Sequence, residues 1–177
     1  MKSGGGKQKG AEQERVVCKN LSLWVSNNKR DDLYWRSAMS GGRASLQFKK
    51  GKENLTQVGD ISCIDSEGEK LTNKYVIEVK SYKNLHLESL IYGTPKNSSI
   101  LEFWYILCNQ CKKVNKKPML IAKQNFKSTI VLLQRELKYD IFVKKYINFY
   151  FSELYTDISL MDFDDLLKIN FNVFIKE

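Results

Sequence analysis

A chain of 177 residues is long enough for one domain with a substantial core and too short for two comfortable ones. Hydrophobic residues make up 42% of it, but there is no run of about 18 apolar residues to span a membrane. The opening Met1–Lys7 lacks the apolar stretch of a secretion signal, so a cytoplasmic location is expected.

The first ten residues are rich in glycine and lysine and read as a flexible basic arm, with residues 11–177 forming a single domain. Ala11 to Val25 predicts a helix, because Val17, Cys18, Leu21, Trp24 and Val25 share one face. A polar break from Asn27 to Asp32 precedes a short strand, Leu33–Arg36, and a flexible turn, Ser40-Gly41-Gly42-Arg43. Gln47 to Gln57 is polar and basic without apolar periodicity, which predicts a loop. Asp60–Ile64 and Lys74–Ser81 predict two strands joined by the turn Asp65–Glu69, an antiparallel hairpin. Leu85–Tyr92 suggests a short helix ending at Gly93.

Ile100, Phe103, Trp104, Leu107, Cys108, Cys111 and Val114 recur every three or four residues, a strongly amphipathic helix closed at Asn115. Pro118–Ala122 and Thr129–Leu133 are short apolar runs of strand length. Further on, Ile147–Leu154 suggests a strand and Met161–Lys168 a short helix. The pattern predicts an α/β sandwich, helices around a mixed sheet.

Lysine and arginine total 29 against 20 acids, a net charge of +9. The excess is segregated: Cys111–Lys127 holds six lysines and no acid, whereas Tyr146–Leu167 holds five acids and no base. Such segregation suits a phosphate backbone, although a basic solvated surface gives the same composition. Of the four cysteines, Cys108 and Cys111 have the spacing of half a zinc site, but no second Cys or His pair accompanies them. Their place on the apolar stripe reads as reduced core thiols. With His86 the single histidine, histidine-based catalysis is disfavoured.

Four polar features carry chemistry. In Tyr75-Val76-Ile77-Glu78-Val79-Lys80, strand alternation puts Glu78 and Lys80 on one side and Ile77 and Val79 on the other. Gly59-Asp60 opens the preceding strand, and pairing would bring Asp60 beside Glu78. Two such anions repel, and a hard divalent cation with oxygen ligands offsets that. Glu14 falls on the core-facing stripe of the first helix, where it is either paired or metal-bound, or simply complements the helix dipole at an exposed end. Arg36 and the Ser40–Arg43 turn offer guanidinium and backbone donors to a phosphate.

The order of these features along residues 9–83 resembles the PD-(D/E)xK nuclease superfamily, and within it the archaeal-type and phage Holliday junction resolvases. The matching residues are Lys9-Gly10-Ala11-Glu12-Gln13-Glu14-Arg15 opening a helix, Arg36, the Ser-Gly turn, Gly59-Asp60, and Ile77-Glu78-Val79-Lys80-Ser81. The resemblance implies a restriction-endonuclease-like core, with Asp60 and Glu78 binding metal and Glu14 completing the site directly or through water. It also implies that Lys80 orients or activates the attacking water and that Ser40 is the serine of the turn. Arg36 and Arg43 would contact phosphates. Lys49, Lys50 and Lys52 in the basic loop, and Lys83 after the second strand, extend the expected nucleic-acid surface. Glycine stands at position 59 where that family usually has proline, and the Gln47–Gln57 loop is longer than expected.

The implied activity is hydrolysis of a DNA phosphodiester with Mg2+, for which Mn2+ would substitute. The substrate would be a four-way or other branched DNA, cut by a homodimer. The Trp104 helix or the aromatic segment Tyr146–Tyr155 would supply the dimer interface. The alternatives are a restriction- or repair-type endonuclease on the same scaffold, a DNA-binding module without catalysis, and a structural subunit. Glu88 reads as a structural helix residue or an outer acid of the site.

Overall fold

A computed structural model of the chain describes residues 5–37, 58–87, 99–134, 145–151 and 154–176. Helix α1 (Gly5–Val25) leads into strand β1 (Tyr34–Arg36), which pairs antiparallel with β2 (Ile61–Cys63) as a two-stranded ribbon. A 3-10 turn (Ser66–Gly68) and helix α2 (Glu69–Lys74) feed β3 (Tyr75–Tyr82). Helix α3 (Ile100–Val114) then leads to β4 (Lys117–Gln124) and β5 (Thr129–Gln134). The last elements are β6 (Lys145–Phe151), β7 (Leu154–Asp162), α4 (Phe163–Lys168) and α5 (Phe171–Ile175).

The main sheet has the order β3-β4-β5-β7-β6, with β3 and β4 parallel and every other pair antiparallel. Parallel neighbours need a crossover, and the segment containing α3 provides it. The helix starts on Ser99, whose side chain accepts from the Glu102 N–H, and stops at Asn115 in the left-handed conformation. Its apolar stripe of Ile100, Trp104, Leu107, Cys108 and Cys111 is buried against Val76, Leu120, Ala122 and Leu132. On the opposite face of the sheet, α1, α4 and α5 pack Val17, Leu21, Trp24, Leu166, Phe171 and Phe174 against Ile77, Val79, Met119, Ile121 and Val131. The fold is a mixed sheet between helices, as the sequence predicted.

Helix α1 is fastened at several points. Ser22 Oγ donates to the Cys18 carbonyl and accepts from the backbone N–H groups of Leu33 and Tyr34, fixing β1 to the helix. Trp24 Nε1 donates to the Ile169 carbonyl at 2.6 Å, and its ring meets Phe171 and Phe174 edge-on at 5.1 and 5.0 Å. The cysteines at 18, 108 and 111 are buried thiols, and burial pushes each up to about 12.

Several expectations need correction or lie outside the described residues. The helix begins at Gly5, inside the supposed arm, because a nucleus over the apolar stripe propagates into residues that have no stripe of their own. Residues 60–81 are no hairpin: 66–74 coil into the 3-10 turn and α2, since the Asp65 side chain accepts from the Glu67 N–H and Leu71 is buried. Ile147–Leu154 is not one strand: residues 147–151 belong to β6 and Leu154 opens β7. The Trp104 side of α3 is covered by the chain's own core, with Trp104 only 2% exposed, while Tyr105 and Ile106 on the same helix are exposed. The Gln47–Gln57 loop, most of the Leu85–Tyr92 segment and Glu88 lie outside the described residues.

Trp24 joins the first helix to the last two. We expect Trp24→Ala to cost about 3–5 kcal/mol, the range for emptying a large aromatic site, read as a lower urea midpoint. An unchanged midpoint would show that the C-terminal helices are not part of the cooperative unit.

Candidate active site

Strand β3 is an edge of the main sheet, so its outer backbone groups need other partners. Asp60 supplies two of them. Its N–H donates to the Ile77 carbonyl at 2.8 Å, and its Oδ2 accepts from the Val79 N–H at 2.9 Å. The Asp60 carbonyl in turn accepts from the Ser37 N–H at 2.8 Å, linking the β1–β2 ribbon to the sheet. The predicted neighbourhood of Asp60 and Glu78 therefore exists, but a backbone clamp creates it rather than a hairpin ladder.

Gly59 makes the clamp possible. Its φ is +93°, a region that proline cannot enter and that other L-residues rarely adopt. A Cβ there would lie 2.7 Å from the Ile77 carbonyl oxygen, the atom that Asp60 uses. The replacement of the customary proline is thus a requirement of this backbone.

Alternation along β3 puts Glu78 and Lys80 on the side facing α3, and both are mostly buried. Lys80 Nζ donates to Glu78 Oε1 and lies 3.6 Å from Asp60 Oδ2. It also sits 5.7 Å from the centroid of the Phe103 ring, which stacks on Tyr82 at 5.2 Å. One ammonium thus faces two carboxylates and the face of an aromatic ring. Burial pushes the Asp60 carboxyl up to about 6, and the Glu78 charge adds to the rise against the opposing pull of Lys80 and the Val79 N–H. For Lys80 burial works against the charge, yet the attraction of Glu78 and Asp60 prevails and the ammonium is held above its ordinary range.

Two carboxylates and one ammonium leave an uncompensated negative charge in a largely desolvated corner. This hard oxygen donor set suits a divalent cation, with Asp60 and Glu78 as the residues to hold it. Among the described residues no three of His, Cys, Asp and Glu form a common metal-binding group. Glu14 does not join the pair; it is ion-paired with Arg36, tying α1 to β1, and both side chains are mostly buried. The guanidinium has five donors, so this pairing does not preclude contact with a phosphate. Lys83 is exposed just past β3. Ser40, Arg43, Lys49, Lys50 and Lys52 lie outside the described residues. A cleft of about 340 Å3 between α1 and α4–α5 is lined by Asn20, Trp24, Asn27 and Asn170 and has no carboxylate on its walls.

Sequence reading did not identify Phe103 as a neighbour of Lys80. Tyr82, two residues beyond Lys80 and on the same face, was the available signal.

The family model described as "Phage putative PDDEXK endonuclease" matches residues 5–176. No curated protein and no solved structure matches the chain.

Two outcomes check this geometry. Gly59→Ala should destabilise by about 1–3 kcal/mol through strain alone, measured by urea unfolding; full stability would show that the clamp tolerates a Cβ. The second concerns pH. With its folded pKa raised from 3.8 to about 6, Asp60 favours the folded state most below about pH 3.8, and that contribution is lost as pH rises through about 6. Asp60→Asn, which titrates nowhere, should raise the thermal midpoint of metal-free protein at about pH 7.5 by a few degrees (about 2–4 °C per kcal/mol) and leave it unchanged near pH 4. A lower midpoint at about pH 7.5 would contradict the burial of an uncompensated charge.

Proposed function

The chain belongs to the phage PD-(D/E)xK endonuclease family, and from that premise we propose that it is a Mg2+-dependent endodeoxyribonuclease acting on branched DNA, a Holliday junction foremost. The observation that carries the catalytic part is the convergence of Asp60, Glu78 and Lys80 at the edge of β3. Endonucleases of this superfamily generally use divalent metals, and the two carboxylates are the groups to hold one here. The metal supplies charge for the phosphate and a bound water of lowered pKa.

The remaining chemistry falls to the chain. Asp60 is held by two backbone hydrogen bonds, so its carboxylate needs no reorganisation when a cation or phosphate arrives. Lys80 orients the attacking water from its place beside both acids, and its ammonium stabilises negative charge growing on the phosphoryl oxygens. Glu14 acts on the site through water, and its partner Arg36 bears on a phosphate from β1. Arg43, Ser40 and the lysines at 49, 50, 52 and 83 extend the DNA surface, consistent with a net charge of +9.

Preference for a junction rests on the resemblance of residues 9–83 to resolvases. Paired cuts in a four-way junction call for a symmetric dimer. The candidate interfaces are the outer side of α3, where Tyr105 and Ile106 are exposed, and Tyr146–Tyr155, whose β6 portion forms the far edge of the sheet. The family match runs unbroken over 5–176, which supports one nuclease domain. No helix among the described residues is long and apolar enough to cross a membrane, and action on intracellular DNA would place the enzyme in the cytoplasm.

A labelled four-way junction and a matched linear duplex, each with Mg2+ or EDTA, test the proposal. Paired, Mg2+-dependent cuts in the junction alone are the expected result, with Lys80→Ala slower by about 100-fold or more and Asp60→Asn inactive. Equal cutting of both substrates would leave a general endonuclease of restriction or repair type. Binding without cutting, under Mg2+ or Mn2+, would refute the catalytic assignment.

A further inference from the structure

The turn joining β4 to β5 lies at the same end of the sheet as Lys80. The Asn125 N–H donates to the Tyr82 carbonyl at 3.1 Å, tying the turn to the last residue of β3. Lys80 stands opposite Ala122 and Tyr82 opposite Gln124. At about 3.3 Å per residue, the turn therefore begins roughly 7–10 Å along the strands from the Lys80 row.

At this turn Phe126 is fully exposed and holds a φ of 62°. Bulky L-residues avoid that region, and glycine would occupy it with less strain. The turn closes through backbone groups, Lys127 N–H to the Gln124 carbonyl at 3.1 Å, and through Lys123 Nζ to the Lys127 carbonyl at 2.5 Å. Neither bond uses the phenyl ring, and the ring buries no surface. Fold stability therefore gives no reason for phenylalanine here. The surroundings are positive: Lys123 and Lys127 flank the ring, Lys83 follows Tyr82, and no acid occurs between residues 103 and 135.

An occupant must offer a flat apolar face and negative charge together. A DNA strand does so where a base has left the duplex stack, because paired bases have both faces covered. We infer that Phe126 is a stacking contact for an unpaired nucleobase of the DNA substrate, with Lys123, Lys127 and Lys83 taking the neighbouring phosphates. The inference rests on the nuclease reading for its substrate and adds to it a preference for DNA containing unpaired nucleotides.

Fluorescence anisotropy in EDTA would compare a short oligothymidylate with a strand of equal length in which every base is replaced by an abasic residue. The phosphates are alike, so any preference measures contact with bases. The wild-type chain should bind oligothymidylate about 10-fold more tightly. Phe126→Gly should abolish that preference while its thermal midpoint holds or rises, and Phe126→Trp should keep it. A Phe126→Gly variant that retains the preference, a wild type that shows none, or a midpoint that falls with Phe126→Gly would overturn the inference. None of these results depends on metal or cutting, so the nuclease reading would survive them. A base preference carried by Phe126 in a chain that cuts no DNA would overturn the nuclease reading alone.

Discussion

The site depends on the attachment of Asp60 to the free edge of β3. One residue takes two outer backbone groups there, accepting from the Val79 N–H with its side chain and giving its own N–H to the Ile77 carbonyl. The result is a carboxylate fixed beside Glu78 and Lys80 of that strand. Loss of this attachment would free Asp60 from Glu78 and Lys80, and would also release the β1–β2 ribbon joined through Ser37. The left-handed Gly59 sets how close the two segments come.

That closeness has an electrostatic cost, which Lys80 only partly offsets. The ammonium contacts both acids and rests over Phe103, yet burial and the proximity of Glu78 still raise the Asp60 pKa. The two acids thus leave a net negative charge that one ammonium does not balance. The Glu14–Arg36 pair differs. There Glu14 is ion-paired with Arg36, which links α1 to β1.

Much of this was legible in the sequence because period-two and period-3.6 patterns are local. Alternation placed Glu78 and Lys80 on one face, and the stripe from Ile100 to Val114 gave α3 to the residue, cap included. What failed was the path between Asp60 and Glu78. Asp65–Glu69 has turn composition, but the same residues cap and start helical structure, and only Leu71 in the polar run betrays a buried helical face. The proximity of Asp60 and Glu78 was inferred correctly from a wrong ladder, because a lone backbone clamp leaves no periodic trace. Glu14 was placed on the inner face of α1, but its partner Arg36 lies 22 residues away, and no pattern within the helix reveals it. Trp104 shows a further limit of pattern: an apolar stripe signals burial without saying what covers it, and here the chain's own sheet does.

The central claim is that Asp60 and Glu78 form a metal-binding pair in which Asp60 must lose a shared or retained proton. Calorimetric titration of the whole chain with Mn2+, in buffers of different ionisation enthalpy, tests it most directly. The account predicts saturable binding with proton release near pH 6, little release near pH 8, and loss of both binding and release in Asp60→Asn. Binding that survives Asp60→Asn unchanged, or the absence of Mn2+ binding at either pH, would contradict it.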